Sequence, residues 1–367
     1  MENPITKKEN FFKRFIKRLK EDKKTQIITL IVVALIALIV VLGYYFVSGK
    51  KWKIAEISKP KKEKEENLIP RRLDGVLVPP GKENPHIVGV IIENLTSVRP
   101  QSGLSAAGVV YEALAEGGIT RFLALYGGEN ADLIGPVRSM RAYYLEWCAE
   151  YDALCAHIGG SPEALQAISG LGIKDLNAMY GDSKYFWRDQ STPAPHNLFT
   201  KSEFLFYALR DKKLVDIKPT YEPWKFKDDE EKDNRPQEEK WVKIDFSSAG
   251  YLVEYKYDRE TNSYLRFNAG AMHTDRNTGK QLNPKNVVIV VIPPVEVLDE
   301  KGRLRMDITG EGKAYMFSDG KAHVGTWKKP KREERTKFYH EDGTEHEFVR
   351  GQTWVEVVPE DRKVEHN

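Results

Sequence analysis

From Ile27 to Val47 the chain runs through 21 consecutive positions without a charge, nearly all of them apolar. As a helix, a run of that length matches the roughly 30 Å hydrocarbon core of a bilayer. Tyr44, Tyr45 and Phe46 stand at its far end, where an interfacial aromatic belt belongs. A cleaved signal peptide would carry a shorter apolar run and a small-x-small cleavage pattern, and neither is present. No cysteine occurs before Cys148, so no lipid-attachment residue follows the run. Residues 7–26 hold nine Lys/Arg against three acids, and residues 48–67 hold seven against four. That bias predicts a single-pass membrane protein with a cytoplasmic N-terminus and its C-terminal domains outside the cytoplasm.

Charge divides the chain near the same place. Residues 1–85 carry a net charge of +9 and residues 86–367 a net of −6. The basic part suits anionic headgroups. The acidic part argues against nucleic acid as a partner. The expected order is a basic tail (1–26), a transmembrane helix (27–47), a proline-punctuated stalk (48–85), an α/β domain with a mixed sheet (86–210), a charged linker or insertion (211–240) and a mainly β domain (241–360). The fold class is mixed α+β.

Polar residues recur where strands of the α/β domain should end, which is how a concave site is written across strand-to-loop junctions. In Gly135-Pro136-Val137-Arg138-Ser139-Met140-Arg141, Ser139 reads as a helix N-cap, placing Arg138 and Arg141 at a helix start. Cations there oppose the helix dipole, so they either hold an anion or pair with acids such as Glu93, Glu112 or Glu116. His157 precedes Gly159-Gly160-Ser161-Pro162, with Ser161 as N-cap and Pro162 in the first helical turn. His157 is either a binding or acid/base group or a satisfied core histidine. Arg99 is held extended by Pro100 and follows Asn94. Glu116-Gly117-Gly118 and Arg121 read as a hairpin with a cross-strand ion pair. Arg188, His196 and Asn197 lie in a proline-stiffened loop that suits a site wall.

No H-E-x-x-H, Cys/His zinc spacing, Walker loop or Rossmann fingerprint is present, so neither metal nor cofactor is expected. Cys148 and Cys155 sit in apolar context and read as buried free thiols.

The segments ENLTSVRPQSGLSAAGVVYEALAEGGITRFLALY, IGPVRSMRAYYLEWCAEYDALCAHIGGSPEAL and APHNLFT resemble the YerB-like lipoproteins of Gram-positive bacteria. The later segments YKYDRETNSYLRF, HTDRNTGKQLNPKNVVIV and GQTWVEVVP resemble that family's C-terminal domain. The resemblance implies an envelope protein with a domain of unknown function, and it carries over no catalytic residues. An apolar run stands here where the family would have a lipidated cysteine.

The leading expectation is an extracytoplasmic envelope protein that binds an anionic or carbohydrate-like wall component. Its ligand-binding residues would be Glu93, Asn94, Arg99, Arg121, Arg138, Ser139, Arg141, His157, Gly159, Gly160, Ser161, Arg188, His196 and Asn197. The first alternative is a wall glycan or peptide hydrolase using Glu112 or Glu116 as acid/base with His157 assisting. The second is a scaffold for envelope proteins.

Overall fold

The computed structural model describes residues 23–48 and 67–367. The chain divides into two units, residues 1–66 and residues 67–367. In the first, the described residues form a helix, α1, over Lys23–Ser48. Its apolar side chains are exposed around its circumference, with Leu30, Ile31, Ile39 and Val40 all more than half accessible. Among the described residues no helix is long and apolar enough to cross a membrane. The expected transmembrane helix is thus not supported among the described residues, which hold an apolar helix. The cytoplasmic tail up to residue 22 and the stalk over residues 49–66 lie outside the described residues.

The stalk was expected to reach residue 85, yet from Asn67 the chain already belongs to the second unit. Ile69–Pro70 pairs antiparallel with Leu77–Val78. The buried Arg71 and Asp74 between them form an ion pair at 2.7 Å, and Leu73 enters the core.

One ten-stranded mixed sheet organises this unit. Its N-terminal strands are β1 (Val88–Glu93), β2 (Val109–Leu114), β3 (Thr120–Tyr126), β4 (Leu154–His157) and β5 (Asp175–Asn177). Helices α2 (Ala142–Glu150), α3 (Pro162–Leu171) and α4 (Ser202–Asp211) belong to the same half. The C-terminal half supplies β6 (Trp241–Asp245), β7 (Leu252–Asp258), β8 (Ser263–Asn268), β9 (Asn286–Ile292), β10 (Gly310–Ser318), β11 (Lys321–Lys329), β12 (Lys337–His340), β13 (Thr353–Pro359) and β14 (Val364–His366). The order across the large sheet is β12-β11-β10-β9-β13-β2-β3-β1-β4-β5. Strands β1, β2 and β3 are buried on both faces, as their largely apolar sequences favour. β6, β7, β8 and β14, with Ala271–Met272, make a second, five-stranded sheet.

The two halves meet at the parallel pair β13–β2, where Thr353 faces Val109 and Glu356 faces Glu112. One buried cluster runs from Leu73 to Val358. The 211–240 segment, expected as a linker, is pinned to the body. Trp224 is buried and donates to the Thr336 carbonyl at 2.8 Å, and Lys225–Lys227 pairs with Glu347–Val349. Its charged composition hides two aromatic anchors, Tyr221 and Trp224.

An aromatic stripe along α2 and its C-terminal cap faces inward: Tyr143, Tyr144, Trp147 and Tyr151 are buried, and Trp147 stacks on Tyr111 at 4.9 Å. Cys148 and Cys155 are joined as a disulfide, not free thiols, because the turn from α2 into β4 brings their Cα atoms to 6.3 Å. That separation lies within disulfide range.

Candidate functional site

Residues 135–140 do not begin a helix. Arg138 N–H donates to the Ile91 carbonyl at 2.9 Å and Met140 N–H to the Gly159 carbonyl at 3.0 Å. Ser161 N–H returns to the Met140 carbonyl at 3.1 Å. These bonds hold the segment extended between β1 and the Gly159-Gly160 turn. Helix α2 therefore starts at Ala142, with Arg141 in the cap position and no side-chain cap. The expected cap at Ser139 is corrected on this ground. The second reading is borne out: the Ser161 hydroxyl caps α3 by accepting from Ala164 N–H at 3.3 Å, with Pro162 in the first turn.

These two helix starts border a cleft of about 430 Å³ lined by Glu116, Ser139, Arg141, Gly160, Ser161, Pro162, Lys301 and Arg303. Three cations face one carboxylate. Glu116 comes from the β2–β3 hairpin, where Gly117 and Gly118 take positive φ of 67° and 74°. Its carboxylate pairs with Arg121 at 3.1 Å and with Arg141. Burial pushes the Glu116 carboxyl up, but the bond from Arg141 and the charge of Arg121 outweigh it, leaving the group below its usual range. Arg121 is buried; burial and the neighbouring Arg141 lower its pKa, opposed by Glu116. It also donates to the Ser139 carbonyl at 3.3 Å, while its Nε has no hydrogen-bond partner. Arg303 pairs with Asp299 and reaches Glu163 at 3.7 Å. A smaller, more apolar cleft of about 120 Å³ shares Arg141, Ser161 and Arg303 and adds Tyr143, Leu298 and Met306.

Glu116, Ser139, Arg141, Gly160 and Ser161 are thus brought together. Lys301 and Arg303 were missed by sequence reading. They sit in an Asp299-to-Arg303 turn whose only signal is two cations beside a glycine, far along the chain.

The remaining expected residues form other groups. Glu93 holds Arg138 at 3.1 Å and His196 at 2.7 Å. Arg188 donates to Asn197 at 2.7 Å. His157 is fully buried between Asp175 at 2.6 Å and the Gly159 carbonyl at 2.7 Å. The Asn177 side chain fixes Gly159 N–H at 3.0 Å.

Asn94, Arg99 and Glu112 belong to an interior network. Asn94 donates to Glu112 at 3.1 Å and to Thr120 at 2.7 Å, and it accepts from Arg99 at 2.9 Å. Glu112 pairs with Arg266 of β8, both fully buried. Arg266 also donates to His273 Nδ1 at 3.1 Å and lies 4.2 Å over the Trp354 ring. Glu356, the register partner of Glu112, shares that arginine at 3.7 Å. Burial, then the adjacent Glu112, raise the Glu356 carboxyl well above its ordinary range. Burial beside a second carboxyl thus favours the protonated form of Glu356. Glu112 has no access to solvent and is a structural group here.

Among the described residues, no group of three or more His, Cys, Asp or Glu stands ready to hold a metal ion as the side chains are placed.

Comparison with known proteins bears on this arrangement. Residues 73–215 match the model of the DUF3048 N-terminal domain, and residues 242–355 that of the DUF3048 C-terminal domain, both described as protein of unknown function. A Bacillus subtilis (strain 168) protein named "Putative lipoprotein YerB" is 34% identical over 276 residues, which is 74% of this chain and 81% of the relative. The crystal structure of YerB from Bacillus subtilis superposes with a TM-score of 0.71 at 31% identity, covering 81% of this chain and 99% of that one. The chain belongs to the DUF3048 family, of which it carries both the N-terminal and the C-terminal domain.

Proposed function

We propose that this chain is a membrane-anchored envelope protein whose cleft at the start of α3 binds an anionic group of a wall component. The observation that carries the reading is the convergence of Arg141, Lys301 and Arg303, from segments distant in sequence, on one cleft beside the start of α3. Such guanidinium and ammonium groups favour phosphate or carboxylate. The apolar shoulder beside the cleft suits a ligand with a carbon skeleton. Glu116 holds Arg141 in place and gives an incoming anion a competitor to displace. The relative's name supports attachment to a membrane. The exposed apolar wall of α1 is the matching feature of this chain, with the basic N-terminal flank on the cytoplasmic side.

The test uses the full chain in detergent and a purified anionic wall polymer. Charge-assisted hydrogen bonds contribute about 1.5–3 kcal/mol each. Arg141→Ala and Arg303→Ala should therefore each weaken binding roughly tenfold or more. Unchanged affinity in the double variant overturns the assignment. Protease added outside intact cells should remove the second unit and spare α1 if the topology is right.

A further inference from the structure

Three of the chain's eight histidines, His323, His340 and His346, share a second cleft of about 710 Å³. His323 lies on β11, His340 ends β12, and His346 follows the Asp342-Gly343 turn. The ring centres are 5.0 Å apart for His323–His340, 5.0 Å for His340–His346 and 5.7 Å for His323–His346.

Hydrogen bonds outside the cluster fix the proton on His346. Val349 N–H donates to Asn286 Oδ1 at 3.0 Å, and Asn286 Nδ2 donates to the Val349 carbonyl at 2.8 Å. The amide is therefore oriented by backbone. Ser318 Oγ lies 2.8 Å from Asn286 Oδ1, so the hydroxyl donates there. His346 Nε2, at 3.3 Å from the same Oγ, must then be the donor in that contact. Its Nδ1 is left with a lone pair, directed at His340 Nε2 3.2 Å away.

That spacing has a chemical meaning. Two imidazole nitrogens on one tetrahedral ion at about 2.0–2.1 Å stand about 3.3 Å apart, and their ring centres about 5 Å apart. The nitrogen pair and the three ring separations fit those values. A ligating histidine also hands its other N–H to an acceptor that sets its tautomer, which is the part Ser318 plays for His346. The nearby ammonium groups are offset, Lys227 by Asp319 at 2.6 Å and Lys225 by Glu345 at 3.5 Å.

We propose that His323, His340 and His346 bind one divalent transition-metal ion of the zinc class. The three donors are not converged as they stand; rotation of the His323 ring completes the set. Imidazole-only ligation selects zinc, nickel or copper over magnesium and calcium. Three protein ligands leave a fourth position open to water or a ligand. Sequence reading passed over the signal, the H-x5-H spacing of His340-Glu-Asp-Gly-Thr-Glu-His346 across a turn.

The experiment is a calorimetric titration of tag-free, metal-stripped full chain in detergent with Zn2+, repeated in excess Mg2+. Saturation at one equivalent, undisturbed by Mg2+, is expected. His323→Ala and His340→Ala, at partly exposed positions, should each weaken Zn2+ binding at least tenfold without moving the metal-free melting temperature. Co2+ should give the absorption bands of a tetrahedral site in the parent and lose them in the double variant. No Zn2+ binding, or equal affinity in the parent and the His323→Ala/His340→Ala chain, overturns the proposal.

Discussion

Arg266 shows how one side chain ties the molecule together. It rises from β8, has no access to solvent, and meets Glu112 of β2 across 154 positions of sequence. Removing one partner of a buried pair leaves the other charge uncompensated, at a cost of about 3–5 kcal/mol. Arg266→Met should therefore destabilise the full chain by that amount in chemical denaturation, while Arg266→Met with Glu112→Gln should recover a large part of it. His273, beside Arg266, gives a pH signature. Burial, then the charges of Arg266 and Arg99, hold its pKa well below 6.5, so it stays neutral in the native state. The unfolded chain takes up that proton near pH 6.5 and the native chain does not. Its contribution to stability is thus fully present above that pH and declines as pH falls. Between about pH 7 and 5 the denaturation midpoint should drop less steeply in His273→Gln than in the parent.

At the scale of elements, the cap and the turns were readable because their chemistry is local. Ser161→Ala removes the bond to Ala164 N–H and should cost about 1 kcal/mol, seen as a lower melting temperature. The Asp319-Gly320 turn between β10 and β11 puts Gly320 at φ 71°, and a Cβ there would stand 2.5 Å from the Tyr257 ring. Gly320→Ala should lower the melting temperature as well, through strain and that clash. The fully buried strands β1 to β3 were legible as apolar runs. The long strand β11 was not, since KAHVGTWKK is charged at both ends and alternates only weakly. The start of α2 was misplaced for a different reason. Ser139 has the right chemistry for a cap, but the backbone of residues 138 and 140 is bonded to Ile91 and Gly159. Those are tertiary contacts that no local pattern encodes.

For the whole molecule, the two domains expected from the sequence share one sheet, continuous through β13 and β2. Residues 67–240 made alone would leave β2 unpaired on that side, and the cationic partners of Glu112 (Arg266) and of the buried Glu150 (Lys329 and Arg335) would be missing. That fragment should lack the cooperative unfolding transition of the intact second unit, as a calorimetric scan would reveal. The same continuity explains why half of the candidate cleft was legible. Glu116, Ser139, Arg141, Gly160 and Ser161 lie close in sequence, but Lys301 and Arg303 arrive from the other half only once the fold has formed. The most direct measurement sets opposite signs against each other: the affinity of the full chain for a purified anionic wall polymer, compared among the parent, Glu116→Gln and Arg303→Ala. Removing the carboxylate that competes for Arg141 should tighten binding, and removing the cation should weaken it. Affinities that are equal in all three, or that fall alike in both variants, would contradict an anion-binding cleft.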